Sequence, residues 1–101
     1  MKTIFALSSG SPPAGIAVVR ISGPSAGTAL ASLVGAMPAP RRATARKLRS
    51  SSGDELDHAM VLWLPGPATA TGEDVAELHL HGGRAVVAAV ESELTTLDGL
   101  R

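Results

Sequence analysis

The chain has 101 residues, 45% of them hydrophobic, and no cysteine, so disulfides, thiolate metal sites and cysteine nucleophiles are excluded. Its formal net charge is zero, and no apolar run reaches the roughly 18 residues of a membrane span. The short apolar stretch at the N-terminus is interrupted at residues 8–13, before a signal segment could form. We therefore expect residues 1–101 to form one cytoplasmic domain.

Two strands are predicted at the start of the chain. Residues 3–7 form the first, and the Gly- and Pro-containing segment 8–13 ends it, because proline lacks an N–H donor and glycine relaxes the backbone. Residues 16–21 are an almost continuous β-branched run, which is typical of a buried central strand.

A helix is predicted after the second strand. Ser22 or Gly23 is expected to cap it, with Pro24 at the first helical position. Gly35 and Pro38 are expected to end it. Its apolar stripe is predicted to contain Ala26, Leu30, Leu33 and Val34.

Three more strands and a second helix are predicted in the other half. Residues 43–49 and 56–64 are two strands joined by a polar loop, and residues 73–81 form the next. A final helix begins after Gly82 and Gly83, with Val86, Val90, Leu94 and Leu97 facing the core. The order β-β-α-β-β-β-α predicts an α+β fold, a mixed sheet of about five strands with two main helices packed on it.

Ionisable side chains share one face of the predicted strand 73–81. Because side chains alternate along a strand, Glu77, His79 and His81 lie together and the apolar residues between them face the core. Alternate histidines and a carboxylate could hold one metal ion. The competing interpretation is a polar sheet face beneath a helix or a partner subunit, in which each histidine makes a hydrogen bond.

Arg20 interrupts the apolar run of the second strand. A guanidinium there is costly unless it meets an anion. It is expected to form an ion pair with Glu77 or Glu73, to contact an anionic or carbonyl-bearing ligand, or to do both.

Charge is divided unevenly along the chain. Residues 1–49 contain seven Lys or Arg and no acid, whereas residues 50–101 contain nine acids and two Arg. Segment 41–49 holds five of these bases, which could contact phosphates or protect an exposed sheet edge from pairing. With only one Phe and one Trp in the chain, a base-stacking platform is not expected. A P-loop motif is also absent from the sequence.

Several motifs, in this order along the chain, resemble one family. They are T-I-F-A at 3–6, I-A-V-V-R-I-S-G at 16–23, L-W-L-P-G-P at 62–67, T-G-E-D at 71–74 and H-G-G at 81–83. The chain is similar to the N-terminal domain of the MnmE/TrmE family of bacterial tRNA-modification GTPases. The resemblance covers essentially all 101 residues and implies a fragment whose helical and GTPase domains lie beyond Arg101.

The resemblance implies a fold like that of folate-binding aminomethyltransferase domains, and a domain that dimerises and binds 5-formyl- or methylene-tetrahydrofolate. Arg20 and Glu77 match the family's folate-contacting residues. With the FAD protein MnmG, the family modifies the wobble uridine of tRNA at C5, using GTP, Mg and K at sites outside this segment. No catalytic residue and no resident metal are expected here. A dimerisation scaffold in which Arg20 and Glu77 only pair with each other, and a small metalloprotein, are the alternatives.

Overall fold

A computed structural model describes residues 3–8, 15–97 and 100. The elements in chain order are β1 Ile4–Leu7, β2 Ile16–Ser22, α1 Ala26–Val34, β3 Thr44–Arg49, β4 Glu55–Leu64, β5 Val75–His81 and α2 Arg84–Thr95. The predicted α+β class, the five strands and the two helices are therefore confirmed. The predicted loop 8–13 falls, beyond its first residue, outside the described part of the chain.

The five strands form one sheet in the order β1-β2-β5-β4-β3. Each pair of neighbouring strands is antiparallel, so the expectation of a mixed sheet was wrong for these strands. Strand direction depends on which strands become neighbours, and the period-2 pattern within one strand does not contain that information. The pairing that brings the candidate site residues together places β5, late in the chain, directly beside β2.

Both helices lie on one face of the sheet and cover its apolar residues. Ala17, Val19 and Ile21 of β2 and Leu78 and Leu80 of β5 are all fully buried. The helices add buried residues to the same cluster: Ala26, Ala29, Leu30 and Leu33 from α1, and Val87, Val90 and Leu94 from α2. Within the described residues, neither helix is long and apolar enough to cross a membrane.

The other face, which we call the open face, has no helix on it within the described residues. Segment 16–21 is therefore central in the sheet but buried on one side only, and Ile16 is 61% exposed. The sequence prediction of a buried strand was wrong for this side, because β-branched residues favour strands whether or not a layer covers them. This face carries the ionisable residues of β2 and β5.

Helix α1 starts later than predicted. Strand β2 continues through Ser22, and Gly23 then turns the chain with a φ of 138°, a conformation that favours glycine. The N-cap is therefore Ser25, not Ser22 or Gly23, and its backbone N–H donates to Thr3 Oγ1 at 2.7 Å. This bond joins the helix start to the residue that precedes β1.

The loop between β4 and β5 is held by bonds between its two ends. The Gly66 N–H donates to Asp74 Oδ1 at 2.8 Å, and the Thr69 hydroxyl donates to the Glu73 carbonyl at 2.6 Å. Gly66 lies so close to the returning chain that an added Cβ would be 2.9 Å from the Glu73 carbonyl carbon. The loop can therefore close only because residue 66 has no side chain.

We expect Gly66→Ala to destabilise the domain by about 1–3 kcal/mol, because the new methyl group would overlap backbone that cannot move aside freely. Urea unfolding measures the change. Gly15→Ala is the control, since a Cβ there meets nothing within 4 Å, and its effect should be within about 0.5 kcal/mol. Equal stability of the two variants would contradict this account of the loop.

Candidate functional site

Arg20 and Glu77 form an ion pair in the middle of the open face. They are directly opposite in the β2–β5 register. Arg20 donates to Glu77 Oε2 from Nε at 3.0 Å and from Nη2 at 2.8 Å. Of the two acids that the sequence analysis offered as its partner, Glu77 is the one it binds. Arg20 Nη1 makes no hydrogen bond within the described residues and is free to donate to a ligand.

Glu77 is held from a second side by His79. The His79 Nε2–H donates to Glu77 Oε1 at 3.1 Å, so each carboxylate oxygen has a protein partner. Burial by itself would raise the pKa of Glu77, but the hydrogen bonds and charges of His79 and Arg20 outweigh that effect and lower it. Glu77 is thus an oriented anion at neutral pH, and its side chain is still 16% exposed.

A cavity of about 300 Å³ opens beside Arg20; we call it the Arg20 cavity. It is lined by Ile4, Ala6, Ser8, Arg20, Ser22, Thr71 and Glu73. Ser22 and Thr71 join its two sides by a hydroxyl hydrogen bond of 2.8 Å. Arg20 therefore lines the same cavity as Glu73, a second acidic residue, which comes from the T-G-E-D segment.

A second cavity, of about 320 Å³, lies on the same face toward the other end of β5; we call it the histidine cavity. It is lined by Ile16, Ala45, His58, Ala59, Met60, His79, Leu80 and His81. Asp57 fixes one of the three imidazoles, because its carboxylate accepts from His81 Nδ1–H at 2.8 Å and from the His81 backbone N–H at 2.9 Å. The walls are mostly aliphatic, with imidazoles as the polar groups.

The structure confirms that Glu77, His79 and His81 share one face of β5, but it gives them different partners. His81 binds Asp57, whereas Glu77 is occupied by Arg20 and His79. Within residues 3–8, 15–97 and 100, no three His, Cys, Asp or Glu side chains are placed to hold a metal ion. The metal-binding alternative is therefore not supported by the geometry of the residues that suggested it.

The basic segment 41–49 includes the edge strand β3. Arg41 donates to the Pro65 carbonyl at 2.8 Å, and Arg46 donates to the Ala36 and Ala45 carbonyls, so two of the five bases bind the protein's own backbone. Lys47 and Arg49 are exposed on β3. Contact between this segment and nucleic acid stays a prediction.

Sequence reasoning missed Asp57, His58 and Thr71 as neighbours of the site. Asp57 and His58 belong to β4, and their approach to His81 depends on the β4–β5 register, which the period-2 pattern does not reveal. Thr71 stands in the T-G-E-D segment, which the sequence analysis did single out. That motif was the signal that could have placed Thr71 next to the arginine.

Comparison with known proteins shows which family and which proteins the chain resembles. Residues 3–101 match the family described as "GTP-binding protein TrmE N-terminus". Over 100 residues, 98% of this chain, it is 71% identical to a protein of Novosphingobium aromaticivorans, and it covers 23% of that protein. Over 101 residues, the whole chain, it is 61% identical to a protein of Erythrobacter litoralis and covers 24% of it. Both relatives bear the name tRNA modification GTPase MnmE.

The lowered pKa of Glu77 predicts a pH-dependent contribution to stability. The ionised form is favoured by folding, so this contribution is complete above the ordinary value of 4.5 and is lost as the pH falls through the folded-state pKa. Glu77→Gln should therefore have a lower free energy of unfolding than wild type at neutral pH, and this difference should shrink as the pH falls to about 3. Urea unfolding across that range measures it.

Glu91→Gln on α2 is the matched control, because Glu91 makes no ion pair within the described residues. Its difference from wild type should change little with pH. If the loss in free energy of unfolding caused by Glu77→Gln stayed constant to acid pH, the lowered pKa of Glu77 would be contradicted.

Proposed function

The chain belongs to the family of TrmE N-terminal domains, and from this we propose that it binds a reduced folate on its open face and forms a homodimer. The observation that carries the proposal is the oriented carboxylate of Glu77 with Arg20 beside it. These are the two residues at which the sequence resembles the family's folate contacts. The folates proposed are 5-formyl- and methylene-tetrahydrofolate, which supply a one-carbon unit.

The chemistry of the pair suits a pterin. The amino-pyrimidinone edge of a pterin presents adjacent N–H donors, and a carboxylate oxygen with a spare lone pair accepts such donors well. Glu77 keeps a spare lone pair on Oε1, which accepts only from His79, whereas Oε2 already accepts two hydrogen bonds from Arg20. Arg20 Nη1 would donate to a ligand carbonyl or carboxylate. The Arg20 cavity offers the space for the ring.

The open face supports the proposal of a homodimer. Three large apolar side chains are exposed on it: Ile4 at 57%, Ile16 at 61% and Met60 at 43%. An exposed apolar sheet face of this kind is typical of a surface that a partner covers. A second copy laid on it would shield the apolar residues and close both cavities from above. The second copy is favoured because the face has few unpaired charges to repel itself.

The chain spans about a quarter of the length of the relatives that it matches. For a parent protein of that length, we propose GTP hydrolysis with Mg and K at sites outside this segment, and modification of the wobble uridine of tRNA at C5 together with MnmG. Such work on tRNA would take place in the cytoplasm. In this scheme the present segment holds the one-carbon donor and has no catalytic residue of its own.

Titration calorimetry with 5-formyltetrahydrofolate tests the ligand proposal. We expect saturable binding by wild type and a loss of at least about tenfold in Arg20→Ala and Glu77→Ala, because each variant removes a charge-assisted hydrogen bond. Arg42→Ala and Glu91→Gln are charge-matched controls that should bind like wild type. Absence of binding to a folded wild type would favour the scaffold alternative, in which Arg20 and Glu77 bind only each other.

Sedimentation equilibrium tests the dimer. Met60→Lys should weaken association by more than about tenfold, because it would bury an ammonium group in an apolar interface. Met37→Lys is the control, since Met37 is 38% exposed but lies in the α1–β3 connection, outside the open face. Equal dimer affinity of both variants would overturn the assignment of the open face as the interface.

A further inference from the structure

We propose that the histidine cavity and Lys47 form a second part of the ligand site, which receives the aminobenzoyl ring and the glutamate chain of a polyglutamylated folate. This inference rests on the proposed folate binding at Arg20 and Glu77 and adds the class of folate that the domain prefers. A polyglutamylated folate has N–H donors at its pterin end and a row of carboxylates at its other end. The open face has a matching polarity.

The open face carries different hydrogen-bonding groups on the two sides of the Arg20–Glu77 ion pair. Glu73 lines the Arg20 cavity and Glu77 binds the guanidinium of Arg20 in its wall, and these acidic acceptors suit a head group rich in N–H donors. Toward the other end stand His58, His79 and His81, which line the histidine cavity. The ring N–H of His79 is donated to Glu77 and that of His81 to Asp57, so His58 is the imidazole of this cavity whose N–H has no partner among the described residues. The head and tail of a folate therefore meet groups of opposite character.

Lys47 extends the donor end to the edge of the sheet. It pairs with His58 in the β3–β4 register, and Ala45, two residues before it on the same strand face, lines the histidine cavity. Lys47 is exposed and makes no ion pair within the described residues. An ammonium beside an imidazole at the edge of the open face is suited to carboxylates that extend into solvent.

The acids near the histidine cavity do not cancel this character. Asp57 is bound to the ring and the backbone of His81, and Glu77 is bound to Arg20 and His79. On the edge strand, Lys47 lies on the same strand face as Ala45 and opposite His58 in register, whereas Arg46 donates to the Ala36 and Ala45 carbonyls. The helices contribute no charge here because they pack on the other face.

The spacing along β5 fits the length of the ligand. From Glu77 to His81 is four residues, about 13 Å at the rise of a β-strand, and an aminobenzoyl ring with one amide-linked glutamate covers a span of that order. The walls between these positions include Ile16, Met60 and Ala45, which would pack against the aromatic ring. The first glutamate would then reach His58, and later ones Lys47.

Calorimetric titration of this chain with the monoglutamate and the triglutamate of 5-formyltetrahydrofolate tests the inference. At low ionic strength the triglutamate should bind about fivefold more tightly, because each added carboxylate gains a weak, partly solvated ion pair. The preference should decline as salt is added. It should fall to about twofold or less in Lys47→Ala and in His58→Ala. Arg42→Ala, which removes an exposed cation that lies before β3 and does not line the histidine cavity, should keep the full preference.

The outcomes separate the two proposals. Equal affinity for both folates would overturn the tail site while leaving folate binding at Arg20 and Glu77 in place. A preference that survives both Lys47→Ala and His58→Ala would also overturn it. A γ-linked triglutamate without pterin that binds as tightly as the folate would show a general anion patch and contradict the inference. No binding of either folate to a folded wild type would overturn the proposed function and this inference together.

Discussion

The structure depends on a strict alternation along two strands that lie far apart in the chain. In β2, and in β5 from Ala76 onward, every second residue is apolar and fully buried beneath the helices, and the residues between them are partly or largely exposed. Because the two strands are neighbours in one register, Arg20 falls directly opposite Glu77. One hydrophobic core therefore does two things: it stabilises the fold and it assembles Arg20, Glu77 and His79 on the uncovered side.

The ion pair at the centre of that face is better suited to binding than to stability. Arg20 is 41% exposed on its side chain, and a pair so open to solvent contributes little to the free energy of folding. Replacing both residues by aliphatic ones would leave the core intact, since neither belongs to it. The pair instead orients the Glu77 carboxylate. Two N–H groups of Arg20 hold one of its oxygens, and the His79 imidazole holds the other.

The parts of this molecule that local chemistry determines were predictable from sequence. Hydrophobic periodicity located all seven elements within a few residues, and the alternation from Ala76 to His81 correctly divided β5 into its two faces. Arg20 was identified because a guanidinium in an apolar strand needs an anion, and Glu77 was among the partners considered. The choice between Glu77 and Glu73 was not predictable, because it is made by the β2–β5 register. The antiparallel sheet, the histidine cavity and the late start of α1 at Ser25 likewise depend on long-range pairing that no window of sequence contains.

The two hydrogen bonds that His81 donates to Asp57 affect how reliably the strands of the open face align. Asp57 belongs to β4 and binds both the backbone and the ring of a residue at the far end of β5. If β5 slipped by one residue against β4, its faces would be exchanged, so that Glu77 would enter the core and Leu78 the solvent. Such a slip would also break both bonds to Asp57. The Asp57 carboxylate therefore stabilises the native register relative to the shifted one, in which Glu77 would be buried. This effect does not depend on any ligand.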